Sequence, residues 1–76
     1  MKKILVIGAG RSSRTLINYL IDNSSVYNWN ITVADYSLDL AKDSINNSVN
    51  GTAIFFDVLD EKQPQYEISK SDIVIS

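Results

Sequence analysis

The chain contains no cysteine and no histidine. The first absence excludes disulfides, thiolate-bound zinc and a cysteine nucleophile. The second removes the commonest general base and metal ligand near neutral pH. No residue is assigned a catalytic or metal-binding role. Proline occurs once and glycine three times in 76 residues, which excludes collagen-like and Pro/Gly-rich low-complexity chains. Long apolar runs are also lacking. After Met1-Lys2-Lys3, only Ile4-Leu5-Val6-Ile7 precede Gly8-Ala9-Gly10-Arg11, too few for a signal peptide or a membrane span. A cytoplasmic protein with no membrane partner is the expectation. Basic clustering is missing as well. Seven Lys and Arg against nine Asp and Glu give a net charge of −2, which argues against a nucleic-acid partner.

What is present is the composition of a soluble globular domain, with 45% apolar and 21% charged residues, too apolar for intrinsic disorder. A domain of this size buries only about 60% of the surface its unfolded chain exposes, so its core is thin.

Short apolar runs alternate with segments of helical periodicity. Ile4-Leu5-Val6-Ile7 reads as a strand buried on both faces. Leu16, Ile17, Leu20 and Ile21 form one helical stripe, with Ser12 and Ser13 in the first turn and Asn23-Ser24-Ser25 as its end. Ile31 to Ala34 reads as a second strand stopping at Asp35. Ser37 is the expected N-cap of a second helix carrying Leu38, Ala41 and Ile45, closed by Asn46-Asn47-Ser48. Ala53 to Phe56 reads as a third strand with both phenylalanines in packing roles. Pro64 suits a first helical position, so a short third helix is expected from about Pro64 to Ser69. Ile73-Val74-Ile75 begins a fourth strand. Alternation of this kind predicts an α/β fold: a partial doubly wound, Rossmann-type parallel sheet of order 3-2-1-4 with helices on both faces.

Gly8-Ala9-Gly10 lies between the first strand and the first helix. Gly8 suits the tight turn. Gly10 lets a pyrophosphate approach the backbone, and the helix N-terminus beyond offers unpaired N–H groups and positive dipole character. Ser13 stands where the third glycine of the dinucleotide fingerprint would be, a small residue at a packing position. Ser12 and Ser13 are candidate hydroxyl donors to phosphate, and Arg11 a candidate charge. The plainer alternatives are a glycine turn that only reverses the chain and an arginine in water.

Asp35, at the end of the second strand, stands where a carboxylate accepts from adenosine ribose hydroxyls. No Arg or Lys lies between Asp35 and Ala41 to neutralise a 2′-phosphate, so NAD is the first expectation and NADP the second. The alternative is a strand-end turn residue or a helper at the next helix N-terminus. Asp57-Val58 ends the third strand, where Asp57 would accept from the adenine amino group and Val58 would pack on the ring. Its alternative is a strand-end Asp with Asp60 as a cap. Tyr36 is close enough to Asp35 to flank an adenosine.

The run from Lys2 to Ser13 resembles the opening of the saccharopine dehydrogenase family, and the resemblance continues through Ile31 to Asp35, Ala53 to Val58 and Ser71 to Ser76. It implies a pyridine-nucleotide oxidoreductase acting by hydride transfer at a C–N bond in lysine metabolism. Gly8, Gly10, Ser12 and Ser13 match that family's phosphate loop, Asp35 its ribose position and Asp57-Val58 its adenine position. The partners implied are a dinucleotide and, in the parent enzyme, a small amino-acid substrate. Residues 1–76 are expected to be the N-terminal part of a dinucleotide-binding domain, with the substrate and catalytic domain outside this chain. Alone they should bind dinucleotide weakly and catalyse nothing. Exposed edges of an incomplete sheet make a homo-oligomer a further expectation. Two other readings remain open: a regulatory nucleotide-sensing domain of a potassium-transport type system, and an FAD- or SAM-binding half domain.

Overall fold

The computed structural model describes residues 1–57, 59–60 and 62–76. Its elements are β1 (Lys2–Ile7), α1 (Arg11–Tyr27), β2 (Trp29–Asp35), α2 (Leu38–Ile45), β3 (Gly51–Phe55), α3 (Lys62–Ser69) and β4 (Ile73–Ile75). The strands form one sheet in the order β3-β2-β1-β4, and every pairing is parallel. The register pairs Ile7 with Ala34, Asp35 with Phe55 and Val6 with Ile75. All four strands therefore end at the same edge, where the glycine loop begins.

Right-handed crossovers explain how the helices are distributed. The steps from β1 to β2 and from β2 to β3 run in one direction, so α1 and α2 share a face. Ile17 and Leu20 of α1 and Ala41 and Ile45 of α2 pack there on Ile4, Val6, Ile31 and Val33. The return from β3 to β4 runs the other way, which assigns α3 to the opposite face. Leu5 and Ala34 are fully buried with Phe56 in a smaller second cluster. Polar contacts hold the α3 segment. Gln63 Nε2 donates to the Phe55 carbonyl, and Asp72 exchanges hydrogen bonds with the Lys3 backbone at 2.7 and 2.8 Å. That exchange sets β4 in register beside β1.

Four local expectations change. Helix α1 does not stop at Asn23-Ser24-Ser25 but continues to Tyr27 and ends at Asn28 in the left-handed region. Asn23 and Ser24 donate instead to helix carbonyls of Tyr19 and Ile21. Ser24 and Ser25 also accept from Asn50 Nδ2, both at 3.1 Å, so these polar side chains join two elements rather than capping one. Strand β3 starts earlier than expected and ends at Phe55. Phe56 is buried beyond it, whereas Phe55 is 46% exposed and tilts against Tyr36. Pro64 is the third residue of α3, still within the first turn, where its missing N–H has no intrahelical partner to lose. Ser37 caps α2 as expected, accepting from the Leu40 N–H at 3.3 Å.

Gly51 has a steric role. A Cβ there would meet Ile45 Cβ at 2.9 Å and Ile45 Cγ2 at 3.1 Å, so the start of β3 and the end of α2 approach too closely for any side chain. Gly51→Ala is expected to destabilise the fold by about 1–3 kcal/mol, read as a lower urea midpoint by circular dichroism. An unchanged midpoint would contradict this packing.

Candidate functional site at the glycine loop

The site grows from the end of β1. Gly8 has φ +105°, a conformation open to glycine and strained for any L side chain. Its N–H donates to the Ala34 carbonyl at 2.8 Å, extending the β1–β2 ladder by one rung. Ala9 is buried, and its N–H donates to Asp35 Oδ2 at 2.7 Å. Gly10 then caps α1 with φ −71°, ψ −179° and no side-chain hydrogen bond.

Any residue can adopt the backbone angles of Gly10, and a Cβ there would meet nothing within 4 Å. The fold itself therefore does not require glycine at this position. What the missing side chain provides is open space in front of a helix N-terminus. The Arg11 and Ser12 N–H groups precede the first intrahelical hydrogen bond, while the Ser13 N–H turns back to the Gly10 carbonyl at 3.0 Å. Ser12 is exposed and Ser13 half-buried.

The two helix N-termini at this edge are finished differently. Helix α2 has a serine cap, Asp39 in its first turn and Lys42 in its last, the arrangement that complements a helix dipole. Helix α1 has no side-chain cap and no acidic residue in its first turn, and it carries Arg11 and Arg14 there. Cations at this end oppose the dipole. The α1 N-terminus is thus left with open N–H groups and the positive charge of Arg11 beside them, the electrostatic setting that favours an anion.

Asp35 joins the two crossover loops. Oδ2 accepts from Ala9 of the first, and Oδ1 accepts from the Ser37 N–H of the second at 2.7 Å. An ionised carboxylate has roughly four acceptor positions, so each oxygen keeps capacity for a ligand hydroxyl. The part foreseen as a helper at the next helix is thus present, together with a bond to the glycine loop that was not foreseen. Tyr36 is exposed beside it.

Asp57 is half-buried at the same edge, and its Oδ1 accepts from the Leu59 N–H at 2.9 Å. Asp60 Oδ1 accepts from the Lys62 and Gln63 N–H groups at the start of α3, in the manner of a cap. Val58 lies outside the described residues.

A cavity of ≈ 520 Å³ opens beside the loop, lined by Ala9, Gly10, Arg11, Arg14 and Leu40. Arg14 and Leu40 were not foreseen as part of the site. Arg14 Nη2 lies 2.6 Å from Oδ2 of Asp43 on α2. The three-residue step from Arg11 to Arg14 signals a shared helix face, but nothing local in the sequence announces that α2 packs against it. Among the described residues, no helix is long and apolar enough to cross a membrane.

A family model described as "Saccharopine dehydrogenase NADP binding domain" matches residues 4–76. No curated protein matches the chain at a significant level.

The loop geometry separates its two glycines. Gly8→Ala should cost about 1–2 kcal/mol through its positive φ, whereas Gly10→Ala should stay within about 1 kcal/mol of the parent. Paired urea titrations measure both. Equal losses would mean that Gly10 is structural and that the open space before α1 has been misread.

Proposed function

Because the chain belongs to the saccharopine dehydrogenase NADP-binding domain family, and so is a nucleotide-binding domain of the oxidoreductase type, we propose that it binds a pyridine dinucleotide across the carboxyl edge of its sheet. The observation that carries this reading is the open space at Gly10 before an uncapped α1. The pyrophosphate is assigned to the backbone N–H groups of the Gly8–Gly10 turn and the first turn of α1. Ser12 and Ser13 serve as hydroxyl donors there and Arg11 as a counter-charge. Asp35, already held by Ala9 and Ser37, is assigned the ribose hydroxyls. The family description names NADP, while the fixed Asp35 carboxylate supports NAD as the form this chain prefers, with NADP as the second. Asp57 is assigned to the adenine side, with Val58 as its packing partner.

Residues 1–76 are proposed as the N-terminal part of the dinucleotide domain of an enzyme acting on a C–N bond in amino-acid, specifically lysine, metabolism. The nicotinamide supplies hydride transfer at that bond. This chain's own residues bind and orient the dinucleotide, and substrate contacts and proton transfers are assigned to residues outside these 76.

Calorimetric titration with NADH and NADPH tests the reading. The parent chain should bind NADH more tightly. Gly10→Ala should weaken both nucleotides by about tenfold or more while the chain stays folded by circular dichroism. Asp35→Asn should narrow the NADH preference. Undiminished binding by Gly10→Ala would remove the phosphate assignment, and tighter NADPH binding by the parent would overturn the preference assigned to Asp35.

A further inference from the structure

The two arginines of the cavity differ in their surroundings. Arg11 is exposed, with no ionic partner among the described residues. Arg14 is half-buried and bonded to Asp43 at 2.6 Å. Stability does not account for that pair. Its side chains are 37% and 72% exposed, and an ion pair in that setting contributes about 0–1 kcal/mol. Both charges also sit at helix ends of unfavourable sign. Arg14 is in the first turn of α1, and Asp43 is in the last turn of α2, each opposing its own helix dipole. Arg14 stands at the wall of the cavity beside the glycine loop, and Asp43 holds it from α2.

That cavity and Asp35 share a wall. Ala9 lines the cavity, and its N–H holds Asp35 Oδ2. A ribose whose hydroxyls reach Asp35 therefore lies beside the space that Arg14 borders. Resting on the dinucleotide reading above, we propose that Arg14 is the receptor for the 2′-phosphate of the adenosine ribose. Asp43 competes with that phosphate for the same guanidinium, so the Arg14–Asp43 pair sets the preference between NAD and NADP.

The chemistry suits an arginine. Its planar fork of donors pairs with carboxylate or phosphate in two-point fashion, so it can exchange one for the other. With NAD bound, Arg14 stays on Asp43. With NADP bound, the phosphate must displace Asp43 and tolerate its charge nearby, as well as that of Asp35. Removing the Asp43 charge frees the guanidinium and removes one of these repulsions. NADP binding should therefore respond to Asp43 and NAD binding should not.

The test is a calorimetric titration of the parent, Asp43→Asn, Arg14→Gln and the double variant with NADH and NADPH at low ionic strength. Circular dichroism confirms that each is folded. Asp43→Asn should tighten NADPH about tenfold and change NADH by less than about twofold. Arg14→Gln should weaken NADPH about tenfold and leave NADH in place, and the double variant should lose the gain of Asp43→Asn. Added salt should shrink that gain. Equal shifts for both nucleotides, or a gain that survives in the double variant, would overturn the assignment while leaving dinucleotide binding intact. Failure of the parent and every variant to bind either nucleotide would overturn both readings.

Discussion

The Asp35 carboxylate is the contact on which the arrangement of the carboxyl edge depends. A parallel sheet brings its strand ends to one edge but leaves the crossover loops there to find their own partners. Asp35 supplies them in both directions, to the backbone of Ala9 and to the backbone of Ser37. The bond to Ala9 draws the glycine loop over the end of β2, which leaves Gly10 facing open space. The bond to Ser37 starts the turn that puts the Ser37 hydroxyl under the first turn of α2. Charge-assisted bonds of this kind are roughly twice as strong as neutral ones, and two from one residue fix the relation between two loops that β1 and β2 alone would not. A residue that holds both loops gives this edge its shape before any ligand arrives, and preorganisation of that kind lowers the ordering cost of binding.

Much of the fold was legible because the local signals agree with one another. Four short apolar runs alternate with helical stripes, and this alone leads to a parallel sheet, its order and the placement of the glycine loop at a strand end. Ser37 and Asn46 marked the ends of α2 because both act locally, one as a hydroxyl cap and the other as a left-handed stop. The misreadings lie where polar or aromatic residues act at a distance. Asn23, Ser24 and Ser25 look like a helix end, yet their side chains bond helix carbonyls and Asn50 across the fold. Phe55 and Phe56 look alike in sequence, but one is packed in the second cluster and the other lies half in solvent against Tyr36.

The candidate site divides along the same line. The glycines, the serines and Asp35 were readable from their spacing and from their position at strand ends. For a cation facing a 2′-phosphate, chain proximity points to the segment after Asp35, and no Arg or Lys lies there before Ala41. The packing of α1 on α2 brings Arg14 to the cavity that Leu40 also lines, through contacts between residues 29 apart. Helix-to-helix packing of that kind leaves no local trace. The contrast between the N-termini of α1 and α2 was present in the sequence throughout. It becomes informative once both are known to open onto the same edge.

The pairing of β1 with β4 bears on how the chain acquires its fold. β1 is an inner strand, yet its second neighbour is tied on by Asp72, 69 residues away from Lys3. Contacts of such separation require closure of nearly the whole chain and slow folding relative to local ones. On the ribosome, β1, β2 and β3 can assemble while β4 is still being made. At roughly 5–20 residues per second, the nascent sheet then spends about one to a few seconds with the free edge of β1 unpaired. Lys2 and Lys3 begin that edge, and charged residues there discourage another strand from joining it. The same two lysines that look incidental in the finished sheet thus sit at the start of the edge that stays open until β4 is made.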